Sequence, residues 1–192
     1  IPRTVNIIFY FASYRGRVLH SSEAESIAQI ERVTNVQWLS GCNMSYKKEV
    51  FNKLKFDEKL KRWSYKEDVD FSYRVYKEYG KLYVTPDAKV IHLSDNTARI
   101  PKPYEVFIKL AYLLYFSKKH FPNSTKNSVL FWWSMVGTCI QEMFQGVGNE
   151  KGTVNKFKRM TVNLIYCIKS VIYIFSNYLA ICRGTDPYLF NN

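Results

Sequence analysis

The chain has 192 residues, of which 47% are hydrophobic, so it is long enough for one domain, or one domain with a helical appendage, that buries a real core. Its net charge of +12 and its 17% aromatic residues indicate a folded protein that meets something anionic, such as nucleic acid, an acidic membrane surface or a nucleotide phosphate. The four cysteines form no C-x-x-C pair and have no His at zinc-finger spacing, which argues against a disulfide framework or a zinc staple.

The charge is distributed unevenly along the chain. Residues 1–100 carry 17 Lys and Arg against 12 Asp and Glu, whereas residues 101–192 carry 11 against 4. A basic, acid-poor and aromatic-rich segment suits a membrane surface better than a solvated domain.

The first predicted elements are a strand over residues 4–11, which are β-branched and aromatic, and a weak helical pattern over residues 21–32 that fits a loop equally well. Residues 36–40 predict a short strand that ends in a turn at 41–43. In open α/β sheets, ligands bind at the carboxyl ends of strands.

The turn at Gly41, Cys42 and Asn43 is therefore a candidate wall of a site. It is equally well interpreted as a plain turn, in which Gly supplies backbone freedom and Asn its own turn hydrogen bond. Ser45 is placed to cap a helix over residues 46–54.

Three carboxylates, those of Glu67, Asp68 and Asp70, crowd the start of the next predicted helix, which ends at Gly80. A helix start presents unpaired N–H groups and a partial positive charge, so one interpretation is a well-capped helix. The other is that one carboxylate, held ionised there, faces a cleft and takes a proton from a hydroxyl substrate.

Residues 82–84 and 89–92 predict two strands, separated by a turn at Pro86 and Asp87. His92 ends the second strand. A single His in such a place is either a structural residue or a ligand.

From residue 101 the pattern predicts helices over 104–120, 129–144 and 161–182. Spanning a bilayer takes about 20 apolar residues, so the third run is just long enough and the second is short. The third run also carries a polar line at seven-residue spacing, Asn163, Ser170 and Asn177, and basic residues flank it: Lys156, Lys158, Arg159 and Arg183. These features favour a helix that lies at an interface or packs on the domain over one that spans the membrane.

Five segments follow one another along the chain: WLSGCNMSY at 38–46, FDE at 56–58, EDVDFSYR at 67–74, YVTPDA at 83–88 and VIH at 90–92. In their composition and their order they resemble the acceptor half of family 2 glycosyltransferases. The later run LLYFSKKHFP at 113–122 looks like the helix that follows the catalytic domain in the rhamnosyltransferase-like branch.

The resemblance implies an α/β fold, in which residues 1–100 form the acceptor-side part of a nucleotide-diphospho-sugar transferase domain of the GT-A type. Residues 101–192 would form a C-terminal region of amphipathic and hydrophobic helices associated with a membrane. The implied activity is inverting transfer of a sugar from a nucleotide-sugar donor to a saccharide or lipid-linked acceptor hydroxyl, in the synthesis of cell-surface polysaccharide or glycolipid. The implied location is the cytoplasmic face of the membrane, with an anionic membrane surface as partner.

In such enzymes the Asp of the Glu-Asp pair is the base, which corresponds to Asp68 here. Inversion requires one carboxylate on the acceptor side of the sugar ring, opposite the departing nucleoside diphosphate. Glu67 and Asp70 would support this base or cap the helix, and Arg74, one turn after Asp70, can pair with it.

The other site residues also follow from the resemblance. Gly41, Cys42 and Asn43 would line the acceptor pocket, with Trp38 either a sugar platform or part of the core. His92 matches the position of a metal or diphosphate ligand in several members. Arg99, in the loop after it, either contacts the diphosphate or is an exposed loop Arg.

The letters Asp68-Val69-Asp70 spell D-x-D, the metal motif of the family, but they open a helix after the acceptor strand, whereas the motif ends a strand before it. We therefore do not assign them to metal. Residues 1–35 contain no counterpart of the donor-binding half. We expect a fragment, whose divalent cation, Mg²⁺ or Mn²⁺, would have its main ligands on sequence outside this chain.

A non-enzymatic basic module that binds a membrane surface or nucleic acid is the alternative. Its aromatic residues could stack on bases. The basic residues are scattered, however, and no RNA-binding signature occurs, so we expect no nucleic-acid partner.

Overall fold

The structure is a computed structural model that describes residues 17–19, 24, 30–61, 64–91, 93 and 100–186. The strand predicted over 4–11 lies outside these residues, as does most of the segment 21–32. His92 and Arg99 also lie outside them.

Most of the described residues are helical. The α-helices are α1 (Val50–Lys53), α2 (Glu67–Tyr79), α3 (Lys102–His120), α4 (Thr125–Phe144), α5 (Thr153–Ser176) and α6 (Tyr178–Arg183), with a 3-10 turn at Val147–Asn149. Strands β1 (Thr34–Asn35) and β2 (Tyr83–Val84) form one antiparallel pair, with Thr34 opposite Val84.

The α/β prediction holds only in this coarse form, a mostly helical chain with a small sheet. Residues 36–40 and 89–91 were predicted as strands, and they are not. Val36 still donates its N–H to the Leu82 carbonyl. Beyond it the backbone hydrogen-bonds to side chains of α2, as the Leu39 N–H does to Ser72. The ladder therefore stops after two residues.

Helix α1 is shorter than predicted. It begins at Val50, with Glu49 at the N-cap position, so the prediction that Ser45 caps it is wrong. Tyr46 instead reaches α2, where its hydroxyl lies 2.7 Å from the Ser72 hydroxyl.

Helix α2 begins at Glu67 and stops at Gly80, as predicted. Gly80 has a φ of 69°, the left-handed conformation that Gly adopts at helix ends without a Cβ penalty. The buried face of α2 packs against a small core formed by Val36, Leu39, Val50, Phe71, Val75 and Leu82.

Helix α3 is the centre of the larger core. Its residues 106–108 and 110–117 are all buried, as expected of a helix that is apolar all round. It packs against α4, α5 and α6. The predicted helix over 104–120 is confirmed.

Helices α4 and α5 lie antiparallel. The Trp132 and Phe175 rings stack near one end, and the Cys167 thiol contacts the Cys139 carbonyl near the middle. The run predicted as one helix over 161–182 is in fact two, α5 and α6, which Asn177 separates with a φ of −115°. Among the described residues, no helix combines the length and the apolar character that crossing a bilayer requires.

Candidate active site

The first turn of α2 contains Glu67, Asp68 and Asp70, and the side chain of its N-cap residue makes no capping hydrogen bond. The N-cap residue is Lys66, which has a φ of 68° and cannot accept a hydrogen bond through its ammonium group. The carboxylates thus meet the partial positive charge of the helix start. Glu67 is half-buried at the first helical position.

The two oxygens of Asp68 accept from two backbone groups. Oδ1 accepts the N–H of Val69 at 2.8 Å, and Oδ2 accepts the N–H of Gly41 at 2.9 Å. The second bond crosses 27 positions of sequence. It places the turn at 41–43 directly beside the carboxylate, so the structure brings together the two features that sequence singled out separately.

Gly41 lies directly against Asp68. A Cβ at this position would lie 3.4 Å from the Asp68 Cβ and 3.5 Å from its Oδ2. Both distances are ordinary van der Waals contacts, so the turn packs on the carboxylate without a requirement for glycine.

Ser72 holds the segment that leads into the turn. It is fully buried, and its Oγ accepts the N–H of Leu39 at 3.0 Å. Residues four apart lie on one face of a helix, so Asp68 and Ser72 form a polar row along α2 that binds the backbone at 39 and 41. Burial raises the pKa of Tyr46, whose hydroxyl completes this row.

The remaining predicted acceptor residues are Cys42 and Asn43, which belong to the turn, and Trp38, which precedes it. Cys42 and Asn43 are exposed, and the Asn43 Nδ2 donates to the Ala88 carbonyl at 3.1 Å, which ties the turn at 41–43 to the turn after β2. Trp38 is half-buried and packs on the core cluster that contains Val69 and Phe116.

Asp70 points away from Asp68, since residues two apart on a helix face opposite sides. Its carboxylate is only 1% exposed. It binds Arg74 Nε at 2.9 Å, which confirms the predicted pair, and also Lys119 Nζ at 2.8 Å and His120 Nε2 at 2.6 Å. Asp70 can thus support Asp68 only indirectly, by seating α2 on α3.

The charges around Asp70 decide its protonation. Burial by itself raises the pKa of this carboxyl, but the hydrogen bonds from His120 and Lys119 and the positive charges of Lys119 and Arg74 outweigh it and lower the pKa to about 2. Burial lowers the pKa of His120, and its bond to Asp70 offsets only part of that effect. A neutral His120 therefore donates from Nε2 to an ionised Asp70.

The sequence pattern did not reveal the neighbours of this cluster. Asp57 accepts from Lys119 and from the Tyr115 hydroxyl, so it shares the Lys119 ammonium with Asp70. Burial raises the pKa of Tyr115, and the Asp57 carboxylate raises it further. Asp57 and Lys119 do occur in the FDE and KKH segments that carry the family resemblance, which is the one signal that pointed to them.

The carboxylates of Asp68 and Asp70 do not fit a shared metal ion. They face opposite sides of α2, and cationic side chains already surround Asp70. Within the described parts of the chain, no group of three or more His, Cys, Asp or Glu is placed to hold a metal. The predicted ligands His92 and Arg99 lie outside those parts.

Two open grooves lie away from this turn. One, of about 610 Å³, runs between the start of α3 and α5 and is lined by Tyr104, Phe107, Tyr166 and Tyr173 among others. The second, of about 640 Å³, lies along α4. Neither is lined by a residue of the predicted active site.

Comparison with protein-family models, with curated proteins and with solved structures finds no match to this chain. The family 2 resemblance therefore rests on the five sequence segments alone.

Proposed function

We propose that this chain forms the acceptor side of an inverting glycosyltransferase in which Asp68 is the general base. The observation that carries the proposal is the hydrogen bond from the Gly41 N–H to Asp68 Oδ2, which sets a carboxylate beside an exposed turn. A base must lie within hydrogen-bond reach of the hydroxyl that it deprotonates, and an acceptor seated on this turn would meet that requirement.

The lone pairs of Asp68 suit this role. Each carboxylate oxygen has two acceptor positions, and one backbone N–H uses one position on each oxygen. Among the described residues nothing else bonds these oxygens, so a second position on each is open to an acceptor hydroxyl. The two N–H bonds meanwhile fix the direction in which the carboxylate points.

The reaction would proceed in one displacement. The acceptor oxygen forms the new bond to the anomeric carbon, the bond from that carbon to the diphosphate oxygen breaks, and the proton of the hydroxyl moves to Asp68. The nucleoside diphosphate leaves on the opposite face of the sugar. The GT-A fold, the donor-binding half, the Mg²⁺ or Mn²⁺ ion and the cytoplasmic-face location belong to the same proposal.

The surroundings of the base have separable tasks in this scheme. Asn43 and the exposed backbone of the turn at 41–43 would orient the acceptor. Glu67 adds negative charge at the helix start, and Asp70 keeps α2 in position through α3.

Substitution of Asp68→Asn in the gene at its natural place tests the proposal. The amide keeps one acceptor oxygen and nearly the same shape, but it cannot take the proton. We expect the variant to remove the same cell-surface polysaccharide or glycolipid that deletion of the gene removes, as measured by mass spectrometry, at a normal protein level by immunoblot.

Asp87→Asn is the matched control, because Asp87 is an exposed acid in the turn that Asn43 contacts. It should leave the glycan unchanged. A wild-type glycan profile in the Asp68→Asn strain would show that Asp68 is not the base. A deletion strain with no altered glycan would reject glycosyl transfer altogether.

The non-enzymatic alternative has one observation in its favour, the outward apolar side chains on α5 described below. A chain that only binds membranes would tolerate Asp68→Asn and lose its function when those side chains become charged. The two readouts therefore separate the two functions.

A further inference from the structure

Helix α5 exposes a stripe of apolar side chains to solvent. Its members are one, three, four or seven residues apart, with the exposed Thr161 between Phe157 and Leu164, and these spacings place them on one side of the helix. They are Val154, Phe157, Leu164, Ile165, Ile168, Ile172 and Phe175, and Leu179 of α6 continues the row. From Val154 to Phe175 the stripe is about 32 Å long, at 1.5 Å per residue.

The polar line of the same helix faces the protein instead of solvent. Asn163 is 1% exposed and its Nδ2 donates to the carbonyls of Met143 and Gln145 at the end of α4, while Ser170 is also buried. Asn163 and Ser170 of this helix thus face inward while its apolar stripe faces solvent. An exposed apolar area of this size indicates a partner.

Helix α4 extends this apolar area. Its Trp132 ring lies parallel to the Phe175 ring, with centroids 4.9 Å apart. Val129, Trp133 and Val136 line one groove with Trp132, and all three are exposed. The stripe of α5 and these side chains of α4 form one surface, which we call the apolar face.

Basic residues border the apolar face. Lys158 and Lys169 are exposed along one edge of the stripe, and Lys156 is exposed at the start of α5. Of the four acids of residues 101–192, Glu105 and Glu142 are held between Lys102 and Lys109, Asp186 is fully buried, and Glu150 is partly exposed, so one partly exposed acid does not balance the basic residues. An anionic partner complements this charge.

We propose that the apolar face seats in the headgroup region of an anionic lipid bilayer, with α5 parallel to the membrane plane. Apolar side chains on a helix of this kind enter the boundary between headgroups and acyl chains, and bordering lysines bind anionic headgroups. Trp133 suits that depth because its ring is largely apolar and its N–H is polar. The proposal does not depend on glycosyl transfer.

A second copy of the chain is the competing occupant, because residues spaced at three and four also form helix pairs. Face-to-face packing of two copies would bring Lys158 and Lys169 of both chains to the same interface. No exposed acid within the stripe offsets this repulsion. Lipid phosphates offset it directly, so charge favours the bilayer.

Vesicle co-sedimentation of the full chain tests the proposal. The vesicles are phosphatidylcholine alone or phosphatidylcholine with phosphatidylglycerol. We expect tighter binding to the anionic vesicles and weaker binding at high salt, because salt screens the lysine contribution. The double variant Ile168→Asp with Ile172→Asp should weaken binding more than about tenfold, since two large apolar side chains no longer enter the lipid.

Matched variants separate the contributions. Lys156→Gln with Lys158→Gln should weaken anionic binding by roughly tenfold and leave binding to neutral vesicles unchanged. Val90→Asp with Ile91→Asp places the same charges at exposed apolar positions away from the face and should bind like the wild type. All changed positions are exposed, so circular dichroism should show an unchanged helix content.

Two outcomes would overturn the proposal. One is wild-type vesicle binding by the Ile168→Asp, Ile172→Asp variant. The other is a wild-type dimer in sedimentation analysis that this variant dissociates, with no vesicle binding by either protein, which would assign the face to a second copy.

Discussion

His120 Nε2 donates a 2.6 Å hydrogen bond to Asp70 Oδ1, so the last residue of α3 is fastened to the first turn of α2. The bond joins residues 50 positions apart. Because Asp68 lies on the same helical turn as Asp70, the position of the proposed base depends on this buried contact.

Asp70→Asn should destabilise the protein strongly. The variant leaves Lys119 and Arg74 without the carboxylate that they share, and breaking a buried ion pair by removing one partner costs on the order of 3 kcal/mol. Urea unfolding measures the loss. Glu58→Gln, at an exposed acid in the same part of the chain, is the control and should change stability by less than about 0.5 kcal/mol. Equal stability of the two variants would contradict a structural role for Asp70.

Acid should weaken the fold through the same carboxyl. The pKa of Asp70 is about 2 in the folded protein and 3.8 ordinarily, so the unfolded chain binds the proton first as the pH falls. The stability that this group contributes is present above pH 3.8 and is lost as the pH falls through about 2. Free energies of unfolding measured across this range should fall more steeply for the wild type than for Asp70→Asn. Parallel curves would show that Asp70 does not carry this slope.

His120 should produce a second, milder pH dependence. Its pKa lies below the ordinary value of 6.5, mainly because it is buried, with Lys77 and Lys119 disfavouring its charge and Asp70 favouring it. The unfolded chain therefore takes up the proton more readily, and stability declines as the pH falls below 6.5. His120→Gln should remove this part of the decline. Denaturant unfolding at pH 7 and at several pH values below 6.5 measures it. The same decline in the variant would assign it to another group.

Ser72→Ala should destabilise the segment at Leu39 that leads into the turn at 41–43. The Leu39 N–H loses its acceptor in a buried place, which costs about 1 to 3 kcal/mol. Ser176→Ala is the matched control, because Ser176 is exposed and bonds only a carbonyl of its own helix. In thermal unfolding, the midpoint temperature of Ser72→Ala should be lower than that of the wild type, and the midpoint of the control should be near the wild type. An equally lowered midpoint in the control would indicate a general effect of removing a hydroxyl.

Asn163→Ala should separate the end of α4 from α5. Its amide donates to the partly buried Met143 and Gln145 carbonyls, so we expect a loss of about 1 kcal/mol. Asn155→Ala removes the same side chain at an exposed position of the same helix and should cost little. Hydrogen exchange at the end of α4 should rise only in Asn163→Ala. Unchanged exchange there would show that the carbonyls of α4 find other partners.

Local rules located the helices of the site well. The acids at 67, 68 and 70 marked the start of α2, and Gly80 marked its stop, because helix ends attract charges and φ values that a few neighbouring residues supply. The strands at 36–40 and 89–91 and the Ser45 cap were wrong. A local pattern predicts a strand, but a strand forms only where a second strand pairs with it. The Leu39 N–H, for example, bonds to the Ser72 side chain instead of to a neighbouring strand.

The sequence by itself determined where α2 begins and ends, and it singled out Asp68, Asp70 and the turn at Gly41 one by one, since each of these features depends on residues close in the chain. Only the tertiary structure decided which partner each carboxylate contacts: Asp68 lies beside Gly41, and Asp70 is buried against His120. It also decided that the polar line of α5 faces inward and the apolar stripe outward. Periodicity shows that a helix has two faces, but which face is covered depends on the elements that pack against it.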